Sequence, residues 1–255
     1  LKFESSHSQA MLARPLESLL AGNSSVSLGP DGTPTASMNH PSGAACQVSL
    51  PGSRVTSWKD SERGEVLVEG AGGGLLPCGL EGIISPSDWT IQSLVGLEDE
   101  VLMFSTFAEV KTADGVPVRA RTEVQLGANR IAMMLEVSHC GADEMEWEEE
   151  QEEATAEAQE RSSKRSRMLP LHLPFAGLQG SLRCQGTPLV SSELLDASHG
   201  VSLDKTGTKL ETFGFSQVKL ALAGPDILQF KTVAPTEVIL QPGETVSGSV
   251  DLILC

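Results

Sequence analysis

From Cys46 onward the chain is cut into short segments that either alternate apolar and polar residues or are rich in β-branched ones. One block comprises Cys46 to Leu50, Arg54 to Trp58, Glu65 to Val68, Trp89 to Leu94, Val101 to Val110, Val118 to Leu126 and Ile131 to Val137. The texture returns after Leu169 and runs through Leu210 to Phe213, Gln217 to Leu222, Ile227 to Val233 and Val246 to Leu254. Successive side chains of a strand point to opposite faces, so a period of two predicts strands with one buried face. Gly, Pro, Asp or Asn stands between most segments, as turns require. The chain therefore reads as all-β throughout, and at 255 residues an all-β sandwich is expected to form a single domain.

Residues 1–40 do not share this texture. They are rich in Ser, Gly, Pro and Asn, with one short helical pattern from Met11 to Leu20. This predicts an N-terminal arm, extended or partly ordered, leading into a domain over 41–255. A second interruption falls at 141–168, where the residues from Asp143 to Glu160 are mostly acidic and Arg161, Lys164, Arg165 and Arg167 follow. Blocks of like charge with almost no apolar periodicity predict a solvated insertion.

Lys and Arg total 18 against 34 Asp and Glu, a formal charge of −16, which disfavours nucleic acid and anionic lipid as partners. No apolar run reaches the roughly 18 residues that span a bilayer, so a membrane is expected to be met only through partner proteins. The five cysteines, Cys46, Cys78, Cys140, Cys184 and Cys255, are far apart and odd in number. They suggest neither a disulfide framework nor a zinc site, and point to a reducing compartment. No signal-peptide pattern opens the chain, which begins at Leu1, and a removed targeting segment would leave no trace. Asn23-Ser24-Ser25 matches a glycosylation triplet that is common by chance in Ser-rich sequence.

Three segments carry a resemblance. HPSGAACQVSLPGSRVTSWKDSERGEVLVEG, with Val55 to Lys59 followed by Gly64, Glu65 and Leu67, is similar to the opening of the aldose epimerase and hexose-6-phosphate epimerase family. GGGLLPCGLEGIISPSDWTIQS resembles that family's Gly-Gly-Ile-Pro stretch, its His-Gly-Phe-Ala-Arg segment and the tryptophan that follows. VAPTEVILQPGETVSGSVDLIL resembles its last hairpin, turning at Pro242, Gly243 and Glu244. The resemblance implies the galactose mutarotase-like antiparallel β-sandwich, a supersandwich. Asp88-Trp89, Gly177 to Gly180 and Pro188 to Leu195 look more like a divergent branch of it, the mutarotase-like subunit in subcomplex B of the chloroplast NADH dehydrogenase-like complex. That branch implies a structural subunit on the stromal side of the thylakoid membrane, whose partners are the other subunits of the complex.

Anomer interchange needs a base for the C1 hydroxyl and an acid for the ring oxygen. The resemblance implies a Glu and a His for these roles. At the expected base position, shortly before the last hairpin, stand Phe230 and Lys231, and the nearest acid, Glu237, reads as a solvated residue. The His-Gly-Phe-Ala-Arg segment reads Glu81-Gly82-Ile83-Ile84-Ser85, without its His or Arg, and Gly72 replaces the arginine upstream. His172, in a His-x-x-Phe match, survives. Flanked by Leu171 and Leu173, it reads as a half-buried residue rather than a catalyst.

His172 and Glu81 are therefore vestigial candidates, and no catalytic, cofactor or metal residues are expected. His139-Cys140 would point to opposite faces of a strand, and Gly72-Gly73-Gly74 lacks the Lys-Ser/Thr of a phosphate loop. Aromatic residues are 4% of the chain and tyrosine is absent. Stacking platforms for a sugar are scarce, and Trp58, Trp89 and the phenylalanines are expected in the core. The sequence thus predicts a non-enzymatic scaffold. The alternatives are an active epimerase with a displaced base or a carbohydrate-binding module.

Overall fold

The computed structural model describes residues 24–29, 32–68, 73–80, 82–96, 101–140, 169–173, 177–184, 193–196, 200–203, 206–215, 217–233 and 238–255. In chain order the strands begin with β1 (Ser24–Leu28), β2 (Pro34–Asn39), β3 (Ala45–Ser49), β4 (Arg54–Asp60), β5 (Gly64–Glu65) and β6 (Leu75–Cys78). A 3-10 turn over Pro86–Asp88 precedes β7 (Thr90–Gly96), β8 (Leu102–Lys111), β9 (Pro117–Leu126) and β10 (Arg130–His139). Then follow β11 (Leu171–Leu173), β12 (Gly177–Arg183), β13 (Glu193–Asp196), β14 (Val201–Leu203), β15 (Thr208–Phe213) and β16 (Gln217–Gly224). The last three are β17 (Ile227–Val233), β18 (Val238–Leu240) and β19 (Thr245–Leu254).

These strands make two large antiparallel sheets and one ribbon. The larger sheet runs β1-β2-β3-β4-β6-β12-β17-β16-β13, with β5 on β4; the other runs β14-β15-β19-β10-β9-β8-β7; β11 and β18 pair separately. The period of two decides which side chains meet between them. From the larger sheet come Met38, Val48, Trp58, Leu75, Leu178, Leu182, Val218, Leu228 and Phe230, and from the smaller one Leu94, Phe104, Val124, Ile131, Met133, Leu210, Val250 and Leu252, all buried in one core. Burial of this apolar surface is the main favourable term in folding.

Trp58, Trp89, Phe104, Phe215 and Phe230 are core residues as expected, whereas Phe107 is half-buried and Phe213 is 74% exposed. Alternation explains the exception: Thr208 and Leu210 of β15 face inward, leaving Phe213 on the outer face.

Two expectations need correction. The sandwich starts at Ser24 rather than near 41, because β1 and β2 add two strands to the edge of the larger sheet, β2 pairing with β3. Ser25 to Leu28 and Thr35 to Met38 do alternate polar and apolar residues, but each run is four residues long within a stretch rich in Ser, Gly, Pro and Asn, which outweighs it. The helical pattern at Met11 to Leu20 lies outside the described residues, as does the insertion at 141–168.

The turn at Pro242-Gly243 also closes no hairpin. β18 pairs with β11, while β19 lies between β15 and β10, so the turn carries the chain from the ribbon into the smaller sheet. The opening hairpin does form: β3 pairs with β4 across the turn at Gly52 and Ser53.

Candidate functional site

β17 decides what occupies the expected base position. Phe230 points inward and is buried against Gly180 of β12, where a Cβ would come within 2.5 Å of its ring. Lys231 points to the outer face. Register sets Lys231 opposite Gln179 of β12 on one side and Lys219 of β16 on the other, with Ser181, Gln229 and Ala221 forming the next row. These residues line a concavity of about 370 Å³ on the outer face of the larger sheet. No carboxylate lines it among the described residues.

His172 is elsewhere. It lies on β11 of the ribbon, opposite Ile239 of β18, with Leu171 and Leu173 buried and the imidazole on the exposed face. Among the described residues it does not line the concavity at Lys231. Glu81, Gly72, Phe175, Glu237 and residues 188–192 lie outside the described residues.

The segment that resembles the family's substrate-contact stretch folds locally for a clear reason. Ser85 begins a 3-10 turn with Pro86 at its first position, and the Asp88 carboxylate accepts the Ser85 N–H at 2.7 Å, a capping arrangement. Trp89 then drops into the core. Leu76, Pro77, Leu80, Ile83, Ile84 and Pro86 make the nearby concavity of about 550 Å³ predominantly apolar, and its one described carboxylate, Asp88, is held by that cap. A third hollow, on the outer face of β1 to β4, is lined by Ser27, Thr35, Ser37, Gln47, Ser49 and Thr56.

Four of the five cysteines are buried, Cys255 just after β19 being exposed. Burial, with the Glu65 carboxylate adding to it, pushes the Cys46 thiol well above the usual thiol range, so it offers no thiolate nucleophile. His139 and Cys140 are both buried, and the His139 ring nitrogens sit 3.1 Å from the Cys140 oxygen and 3.0 Å from the Leu169 oxygen. That histidine stands between the two residues that flank the 141–168 segment. Gly74, at φ +87, lets the chain pass where a Cβ would meet the Val55 oxygen at 2.2 Å, and Arg54 donates to the Gly73 oxygen beside it. Among the described residues no group of three or more His, Cys, Asp or Glu is placed to hold a metal ion.

Sequence reasoning passed over Lys219, Gln179 and Gln229. A pattern shows which residues share a face of their own strand, but β12, β17 and β16 become neighbours only through the register.

A two-layer antiparallel sandwich with two hollows on the outer face of the larger sheet and a third beside the 3-10 turn is the class of protein that this geometry defines. Among solved structures, a galactose mutarotase-like protein of Clostridium acetobutylicum superposes with a TM-score of 0.60 at 8% identity, over 90% of this chain and 97% of that one. The 4-alpha-glucanotransferase of Thermococcus litoralis gives a TM-score of 0.56 at 11% identity, over 92% of this chain and 40% of that one. The chain therefore has the galactose mutarotase-like β-sandwich fold. No family model matches the sequence, and comparison with curated proteins finds no match.

Proposed function

We propose that this chain is a non-catalytic protein on a mutarotase-like sandwich, acting as a structural subunit of the chloroplast NADH dehydrogenase-like complex of photosynthetic cyclic electron flow. It sits on the stromal side of the thylakoid and meets the membrane through its partner subunits. One observation carries the loss of catalysis: at the base position β17 turns Phe230 into the core and presents Lys231, opposite Lys219, to the hollow. A lysine ammonium has three donors and no acceptor. It cannot take the C1 proton as a carboxylate does. His172, the remaining candidate acid, is on a separate ribbon.

The resemblance of Asp88-Trp89, Gly177 to Gly180 and Pro188 to Leu195 to the thylakoid branch supports the place in the complex. The test is purification of the tagged chain from thylakoids. It is expected to comigrate with subunits of the complex on a native gel. Migration near its own 26.9 kDa, or polarimetry showing saturable mutarotation of glucose or galactose, would sink this reading.

A further inference from the structure

We infer that the open edge of β1 is a self-association surface, where the chain pairs antiparallel with a second copy of itself about Val26. The strands at the edges of the three sheets differ in how they are guarded against pairing with another chain. Charge, a bulge or short length each blunt an edge. β13 carries Glu193 and Asp196, β7 is bulged between Ile91 and Ser93, and β11, β14 and β18 are three residues long. β1 has none of these devices: it reads Ser24-Ser25-Val26-Ser27-Leu28, and among the described residues only β2 pairs with it.

Pairing with β2 fixes which main-chain groups face outward. Gly29 donates its N–H to the Thr33 oxygen at 2.7 Å, a hydrogen-bonded pair next to Leu28 and Pro34, while the Pro34 oxygen turns the other way and accepts the Leu50 N–H at 2.9 Å. Bonded and non-bonded pairs alternate along an antiparallel ladder. Ser25 and Ser27 therefore bond to β2, and Ser24, Val26 and Leu28 direct their N–H and C=O groups to the open edge. A two-fold axis at Val26 sets Val26 against Val26 of the second copy and Ser24 against its Leu28, so every outward group meets an outward group. Ser25 then faces Ser27. Such an axis brings the same patch of both copies together, which a charged strand would oppose. Neither β1 nor β2 holds a charged residue, although the chain carries a net −16. On the core side the contact brings Leu28, 68% exposed, beside the partly buried Val26 of the other copy.

This contact goes beyond the scaffold reading and does not depend on it, since one is read on the isolated chain and the other by comigration with other subunits. The full chain is sedimented to equilibrium at concentrations from about 5 to 200 µM, a range suited to a small, reversible interface. Its weight-average mass is expected to rise from 26.9 kDa towards twice that value. Val26→Pro removes an outward N–H and no bond to β2, a placement that an edge strand tolerates, and should weaken dimerisation about tenfold or more. Ser25→Glu combined with Ser27→Glu sets like charges opposite one another and should do the same. Mixing that chain with one carrying Ser25→Lys and Ser27→Lys should restore association, and circular dichroism confirms that each variant is folded. A parent that stays at the single-chain mass throughout would leave the edge to a strand of another protein and overturn the proposal. So would dimerisation undiminished by Val26→Pro and by the doubly substituted chain, or oppositely charged chains that are folded yet fail to associate.

Discussion

Asp251 illustrates how one side chain on an interior strand couples the fold to pH. It lies on β19 between Ala132 of β10 and Glu211 of β15. Burial raises its carboxyl above the ordinary range and Glu211 adds to this, while Arg130 at 3.4 Å partly offsets it. One carboxylate oxygen is buried without a hydrogen-bond partner. A raised folded pKa means that the folded chain holds the proton longer, so stability falls as pH rises from the ordinary value of about 3.9 through the raised one. Asp251→Asn removes that titration. Its melting temperature should exceed the parent's at pH 7 by on the order of 2 °C, allowing for solvent screening, and the gap should close as pH falls to about 4; a constant gap would exclude the linkage. A second residue-scale feature spans the two sheets: the hydroxyls of Ser53, Thr106 and Thr122, all buried, bond to one another in a ring, with Thr106 2.7 Å from each of the other two. Thr122→Val keeps the shape but leaves its neighbours one donor and one acceptor short. Chemical denaturation should show a loss of about 1–3 kcal/mol.

At the scale of elements, β12 and β17 show what close packing costs. Gly180 and Phe230 are cross-strand partners, and the ring occupies the space that a Cβ would need. Gly180→Ala must displace a fully enclosed ring, so it should destabilise the sandwich by about 1–3 kcal/mol in denaturant unfolding; a neutral effect would show that Phe230 has room to turn. The same pair marks the limit of legibility. β17 appears in the sequence with its bounds intact, Ile227–Val233, and β8, β9, β10 and β19 within a residue or two, because each alternates over seven to ten residues. β12 does not, since Gly180 leaves an inward position and Gly177 an outward one without a side chain, and β6 is four residues broken by Pro77. Pairing was legible for β3 with β4 but not for β18, whose partner lies across a long separation. For the candidate site the consequence is direct: Phe230 and Lys231 could be named from the sequence, but which of them faces the hollow, and that Lys219 faces it too, needed the register.

The two large sheets enclose one core and, among the described residues, His172 on its ribbon does not line the hollow at Lys231, so disruption of the core and substitution of His172 should have separable effects. Trp58 is fully buried on β4, and its indole nitrogen has no hydrogen-bond partner. What Trp58→Ala removes is therefore packing, a loss of about 3–5 kcal/mol against a usual domain stability of roughly 5–15. His172 is exposed, on the opposite face of β11 from its buried neighbours. His172→Gln changes its hydrogen bonding at similar volume and leaves the core untouched. If the chain serves assembly, Trp58→Ala in the native organism should deplete it and the neighbouring subunits of the complex together, measured by immunoblot and native gel. His172→Gln should leave both the complex and its cyclic electron transfer at parental levels. Polarimetry on the isolated parent chain supplies the complementary measurement, because one histidine without a positioned base should give no mutarotation of glucose or galactose above buffer. A His172→Gln line with an intact complex but no electron transfer would mean that the ribbon face binds something the complex needs, and the scaffold role would give way to a ligand-binding one.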